Sequence, residues 1–194
     1  MSSGHFHVHG PHDHAVEHAG QHADPHGDPF AGRIAVMTAI FATLGAMMGY
    51  MGGATQNDAL LYKNEAAIRK TEASDQWNFY QAKSGKQNLA ELGATLSSGD
   101  QQAKYLQEIE RYRKEKEEIK VAAEKLEVQS KEANDRSEAS MHLHHRWAQA
   151  TTLIQVSIAL AAITLLTRSS RLKWGAYGVA AASMVVGVLA LLHI

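Results

Sequence analysis

The sequence predicts an all-α membrane protein: three transmembrane helices, with a long antiparallel helical hairpin inserted between the first and the second. Two observations carry that prediction. Asp, Glu, Lys and Arg are absent over residues 34–53, and over residues 148–194 the only ones are Arg168, Arg171 and Lys173. Between these apolar blocks, residues 54–147 are rich in charge and contain no proline. A hydrocarbon core about 30 Å thick takes about 20 helical residues rising about 1.5 Å each. The stretches 34–53, 148–167 and 174–192 all have that length.

Residues 1–30 hold eight of the twelve histidines and all three prolines, and little apolar material beyond Phe6, Val8, Val16 and Phe30. Such a tail buries too little surface to offset the entropy of ordering it, so it is expected to be disordered. His5, His7, His9, His12 and His14 follow an alternating spacing. Flexible imidazoles so spaced can converge on Zn, Ni or Cu, although richness in histidine specifies neither geometry nor metal.

The first transmembrane helix is expected over 31–53. A signal peptide fits it poorly, because it starts after a long His-rich stretch and runs directly into a polar helix. Its sharpest feature is Gly45-x-x-x-Gly49-x-x-x-Gly53. These glycines share one helix face and permit close backbone approach, either within one protomer or between protomers.

Residues 54–147 form the expected extramembrane hairpin. Its outgoing arm reads as helix over 55–92 and stops at Gly93. A turn is expected near 93–100, with Ser98 and Gln101 in the spacing of a capping box. The returning arm, 101–147, lacks Gly and Pro. Tyr105, Ile109, Tyr112, Ile119, Ala123 and Leu126 follow a coiled-coil-like 4-3 rhythm there, interrupted at Lys116. The same register continues into Ser130, Ala133, Ser137 and Ser140, so the seam is expected to weaken into small polar residues. On the outgoing arm, Trp77, Tyr80 and Ser84 share a face suited to burial against the returning helix or a neighbour, or to docking a protein partner, and with Tyr105, Ile109 and Tyr112 they are the expected contact residues of the hairpin.

At the membrane end of the returning arm, Glu138, His142 and His145 are spaced 4 and 3 apart. They lie on one face and could offer a carboxylate and two imidazoles to a metal, although one helix seldom completes a site. The alternative is that these histidines sit at headgroup level beside Arg146 and Trp147.

The second transmembrane helix is expected over 148–167, where Thr151, Thr152 and Gln155 could line a polar path or bond across helices. Residues 168–173 form a basic loop and 174–194 the third transmembrane helix. Gly178-x-x-x-Ala182 and Ser183-x-x-x-Gly187 are weaker small-residue repeats in that helix. Cations in a short loop remain on the cytoplasmic side. Arg168, Arg171 and Lys173, with Arg33 before the first span, therefore put the N-terminus in the cytoplasm and the hairpin outside it.

Several function classes are disfavoured. A formal net charge of −1 is no basic footprint for nucleic acid. The absence of cysteine removes disulfide and thiolate chemistry. No span carries a charge at its middle, which argues against an ion-coupled pump. No G-x-S-x-G, Walker loop or H-E-x-x-H occurs, and the chain reads as non-enzymatic.

The stretch Glu72-Ala73-Ser74-Asp75-Gln76-Trp77-Asn78-Phe79-Tyr80-Gln81-Ala82-Lys83-Ser84-Gly85-Lys86 resembles the signature of a bacterial membrane family known as domain of unknown function 4337. One span, a charged helical region and two C-terminal spans are similar to that family over roughly residues 30 to 194. The resemblance implies a bacterial membrane protein and transfers no catalytic or ligand residue. Together these readings predict a homo-oligomer in the lipid bilayer of the bacterial inner membrane, acting as a structural or interaction module. The alternative is a metal-binding or passive transport protein that uses the His-rich tail and a pore at the glycine-bearing helix.

Overall fold

The computed structural model describes residues 28–192. The described residues form three α-helices: α1 (Pro29–Leu96), α2 (Asp100–Thr167) and α3 (Ser170–Leu191). The first two are 68 residues long and α3 has 22. All three are long and apolar enough to cross a membrane. The described residues divide into two compact units, 28–55 with 142–192, and 56–141.

α1 starts at Pro29, two residues earlier than the span expected from 31. Asp28 explains the early start: its Oδ1 accepts the Phe30 amide at 3.0 Å and its carbonyl accepts the Gly32 amide at 3.2 Å. That is an N-cap followed by proline at the first helical position, where a missing N–H costs nothing. The other carboxylate oxygen, Oδ2, lies 2.8 Å from Arg168 Nη2 in a Coulombic contact without hydrogen-bond alignment.

The span-bearing unit packs around Ile34, Met37, Phe41 and Met48 of α1, Trp147, Ala150, Ile154, Ile158 and Ala161 of α2, and Ala176, Ala180 and Ala190 of α3. Its buried hydroxyls are satisfied. Ser157 and Thr164 donate to carbonyls one turn back in α2, at 3.1 and 2.7 Å. Ser183 donates from α3 to the Ala150 carbonyl of α2 at 2.7 Å. Such pairing is obligatory where no water reaches.

The expected basic loop 168–173 is shorter than its sequence suggests. Only Arg168 and Ser169 lie outside helix, and Arg171 and Lys173 belong to the first turn of α3. Arg168 turns the chain in the left-handed region, φ 52, and its amide bonds back to Thr164 at 2.9 Å, closing the end of α2.

In the unit 56–141, the buried positions of α1 are Ala59, Ala66, Ala73, Ala90 and Ala94, and those of α2 are Ala123, Ala133 and Ser137. Small side chains bring backbone within reach of side chains on the other helix. Ser137 donates to the Ala59 carbonyl and Ser130 to the Ala66 carbonyl, each at 2.8 Å. Seven residues forward on α1 therefore match seven backward on α2. One more such step reaches Ala73 and Ala123, both fully buried. A further step reaches Tyr80 and Lys116, whose ammonium sits 4.9 Å from the ring centroid. At the far end, Gln102 Nε2 donates to the Ala94 carbonyl at 3.1 Å.

The break between α1 and α2 is narrower than the expected turn. Gly93 does not stop α1, which continues to Leu96. The turn is made instead at Gly99, φ +65, whose carbonyl accepts the Ala103 amide at 3.1 Å. Glycine takes that left-handed conformation without a Cβ clash. The residue that opens α2 is therefore Gly99 and not the Ser98 of the expected capping box.

Candidate functional site

The expected glycine stripe on α1 splits into two faces. Gly45 is buried: a Cβ there would lie 3.1 Å from Ile154 Cγ2 and 3.6 Å from Gln155 Nε2. Gly49 and Gly53 are exposed, with open space where a Cβ would stand. The close contact falls on Gly52, where a Cβ would meet Trp147 Cβ at 3.4 Å. The Gly52 carbonyl also pairs with His144 Nδ1 at 2.9 Å, which fixes the proton on that nitrogen because a carbonyl only accepts.

α3 divides in the same way. Ser183 and Gly187 are buried, and a Cβ on Gly187 would come within 3.2 Å of Met48 Cε. Gly178 and Ala182 are exposed, and Gly178 has nothing within 4 Å of an added Cβ. Gly45, Ser183 and Gly187 thus serve packing inside the protomer. Gly49, Gly53, Gly178 and Ala182 face outward. The sequence carried a signal for the choice of Gly52: Gly45, Gly52, Ala59, Ala66 and Ala73 recur every seven residues. The four-residue glycine spacing obscured it.

The expected contact residues of the charged unit are all half-buried. Trp77 meets Tyr80 edge to face, with ring centroids 5.6 Å apart. Its Nε1 donates to Glu127 Oε1 at 3.4 Å, and the same oxygen takes Lys70 Nζ at 3.2 Å. Ser84 is half-buried as well. Tyr105 lies across Gly93 so closely that an added Cβ would stand 2.8 to 3.0 Å from three ring carbons. Gly93 is thus a slot for an aromatic ring. Ile109 is half-buried, and the Tyr112 ring lies 4.8 Å from the Arg111 guanidinium and 5.6 Å from Lys83 Nζ.

Lys83 also hydrogen-bonds Glu115, and this contact holds the Glu115 carboxyl below its ordinary range; desolvation opposes it, and the charges of Lys83, Arg111 and Lys86 give smaller help. Of the three serines that the sequence pattern suggested would weaken the seam, Ser130 and Ser137 are instead cross-helix donors. Donation to a carbonyl already in a helical bond requires only close approach, which the alanines opposite provide.

The tail histidines His5, His7, His9, His12 and His14 lie outside the described residues. Among the described residues, no three His, Cys, Asp or Glu side chains are placed to hold a metal ion. Glu138 is instead taken by Asn134 Nδ2 at 2.8 Å, and His142 and His145 are exposed. Thr151 and Thr152 donate to carbonyls one turn back rather than across helices.

Arg33 and Lys173 stand together at one end of the span-bearing unit, lining one recess with Trp174 and Tyr177. Sequence reasoning treated both as topology markers only. Their convergence depends on α1 and α3 packing side by side.

A family model described as a domain of unknown function (DUF4337) matches residues 30–193. No curated protein and no solved structure matches the chain. The match spans all three helices, including the stretch 72–86 on which the resemblance rested, and the chain belongs to the DUF4337 family.

Proposed function

We propose that the chain is a multi-pass protein of a bacterial inner membrane, with its N-terminus in the cytoplasm. Residues 56–141 form an antiparallel helical hairpin outside the cytoplasm. This hairpin acts as a non-enzymatic structural and interaction module in a homo-oligomer. The matched seven-residue steps of Ser137 with Ala59 and Ser130 with Ala66 support the antiparallel arrangement.

The observation that carries the oligomeric reading is an apolar face left bare outside the spans. Leu61 and Ile68 are each 57% exposed, Leu89 69% and Leu96 79%; all four follow the seven-residue period on α1, on which Asp75 and Ala82 separate the two pairs. A monomer leaves both pairs to water, and a neighbouring helix would cover them. The outward Gly49 and Gly53 add a flat strip against which another helix can close.

The test is the mass of the detergent-extracted full chain by size exclusion with light scattering. A multiple of the protomer mass is expected, reduced by Gly49→Leu. A monomeric wild-type protein overturns the oligomer. Because the chain has no cysteine, Ser98→Cys introduces a single label. Its modification by an impermeant maleimide from outside spheroplasts supports the orientation, and modification only after lysis reverses it.

A further inference from the structure

Arg33 of α1 and Lys173 of α3 line a recess of about 610 Å³ with Phe30, Ile34, Trp174 and Tyr177. Arg33 and Tyr177 also border a second recess of about 590 Å³, which continues along α1 past Val36, Ile40 and Phe41. Each recess is therefore lined largely by apolar side chains, with a cation among them.

Among the described residues, Arg168 has a carboxylate partner in Asp28, whereas neither Arg33 nor Lys173 forms an ion pair. Lys173 Nζ lies 5.7 Å from the Trp174 ring centroid, held at the edge of the recess by an aromatic face. Val36 and Ile40, which continue the apolar wall, are 61% and 54% exposed. Two cations without an ion-pair partner among the described residues, beside Trp and Tyr at the end of helices apolar enough to cross a membrane, match the chemistry of a lipid headgroup above its acyl chains.

We propose that Arg33 and Lys173 hold the phosphate of an anionic phospholipid, with its acyl chains in the two recesses that flank Arg33 and Tyr177. The proposal rests on the membrane reading above. The guanidinium can take two phosphate oxygens in parallel and the ammonium acts as a point charge. A lipid whose headgroup has no cation of its own leaves both charges for the phosphate. A zwitterionic lipid brings a competing ammonium, so preference follows headgroup charge.

The experiment is native mass spectrometry of the full chain released from detergent micelles doped with equal amounts of phosphatidylglycerol and phosphatidylcholine. Phosphatidylglycerol is expected to be retained about thirtyfold over phosphatidylcholine, as two surface cations imply. The double variant R33Q/K173Q is expected to lose that preference while keeping wild-type helicity by circular dichroism. R171Q, whose side chain lines neither recess, is expected to keep it. Equal retention of both lipids, an undiminished preference in R33Q/K173Q, or an equal loss in R171Q overturns the site. Inorganic phosphate that raises the melting temperature as much as phosphatidylglycerol overturns the lipid as the source of the phosphate. The membrane reading fails separately, if the protein stays in the supernatant after high-speed centrifugation without detergent.

Discussion

Ser137 donates its hydroxyl to the backbone carbonyl of Ala59 at 2.8 Å, and both residues are buried. A helical carbonyl has a second lone pair after its own helix is satisfied, and only a small residue leaves it accessible. Ser137→Ala is expected to destabilise the protein by about 1 kcal/mol, the typical net worth of one such bond. Ala59→Leu is expected to cost about 1–3 kcal/mol through overpacking. Thermal unfolding followed by circular dichroism in a mild detergent measures both. A larger effect for Ser137→Ala than for Ala59→Leu would contradict the close-approach account.

Two helical glycines of the same unit should respond oppositely to alanine. At Gly85 an added Cβ meets nothing within 4 Å, so Gly85→Ala should stabilise by up to about 1 kcal/mol through helix propensity alone. At Gly93 the methyl would overlap the Tyr105 ring, and Gly93→Ala should destabilise despite the same propensity gain. Pairing Gly93→Ala with Tyr105→Ala restores space, so the double-mutant cycle should show a favourable coupling between the two.

The Glu115 carboxyl, held low by Lys83, gives an acid dependence of definite sign. A folded-state pKa below the unfolded value means that the unfolded chain binds more protons, so this stabilisation is fully present above the unfolded pKa. It is lost as pH falls through the folded value. Unfolding curves of wild type and Glu115→Gln should differ by a constant amount near neutral pH and converge in the acid range. Lys83→Met should remove the same pH-dependent increment.

Asp28 does two jobs that substitution can separate. Asn also caps helices well, so Asp28→Asn should retain the bond to the Phe30 amide and lose only the ion pair with Arg168. The Arg168 side chain is 74% exposed, and such a pair contributes at most about 1 kcal/mol after screening. Asp28→Ala should lose the cap as well, at a further cost of about 1 kcal/mol. Equal melting temperatures for the two variants would rule out the cap.

The helical character of the chain was legible because charge-free blocks of about 20 residues and a long proline-free charged stretch admit little else. The ends of the elements were less so. Gly93 looks like a helix stop by composition, but its missing side chain serves Tyr105 from another helix, a relation that no local rule encodes. The Asp28–Pro29 cap is written in the sequence, but the proline- and histidine-rich composition around it reads as tail.

The packing glycines were only partly legible. The four-residue spacing drew attention to Gly49 and Gly53, while the seven-residue spacing through Gly52, Ala59, Ala66 and Ala73 marks the positions that are buried. Ser130 and Ser137 read as polar interruptions because their acceptors belong to the backbone of a distant segment. Arg33 and Lys173, far apart in sequence, come to line one recess only once α1 and α3 pack together.

The matched steps of the unit 56–141 have a consequence for how its length can change. Seven residues make just under two helical turns, about 10 Å of rise with a drift of about 20°, whereas one residue turns a helix face by about 100°. Removing residues 60–66 together with 124–130 would bring Ala73 and Ala123 into the next register beside Ala59 and Ser137. Removing a single residue from either helix would turn every later alanine away from its serine. The arm can therefore be shortened or lengthened only in whole heptads, cut from both helices at once.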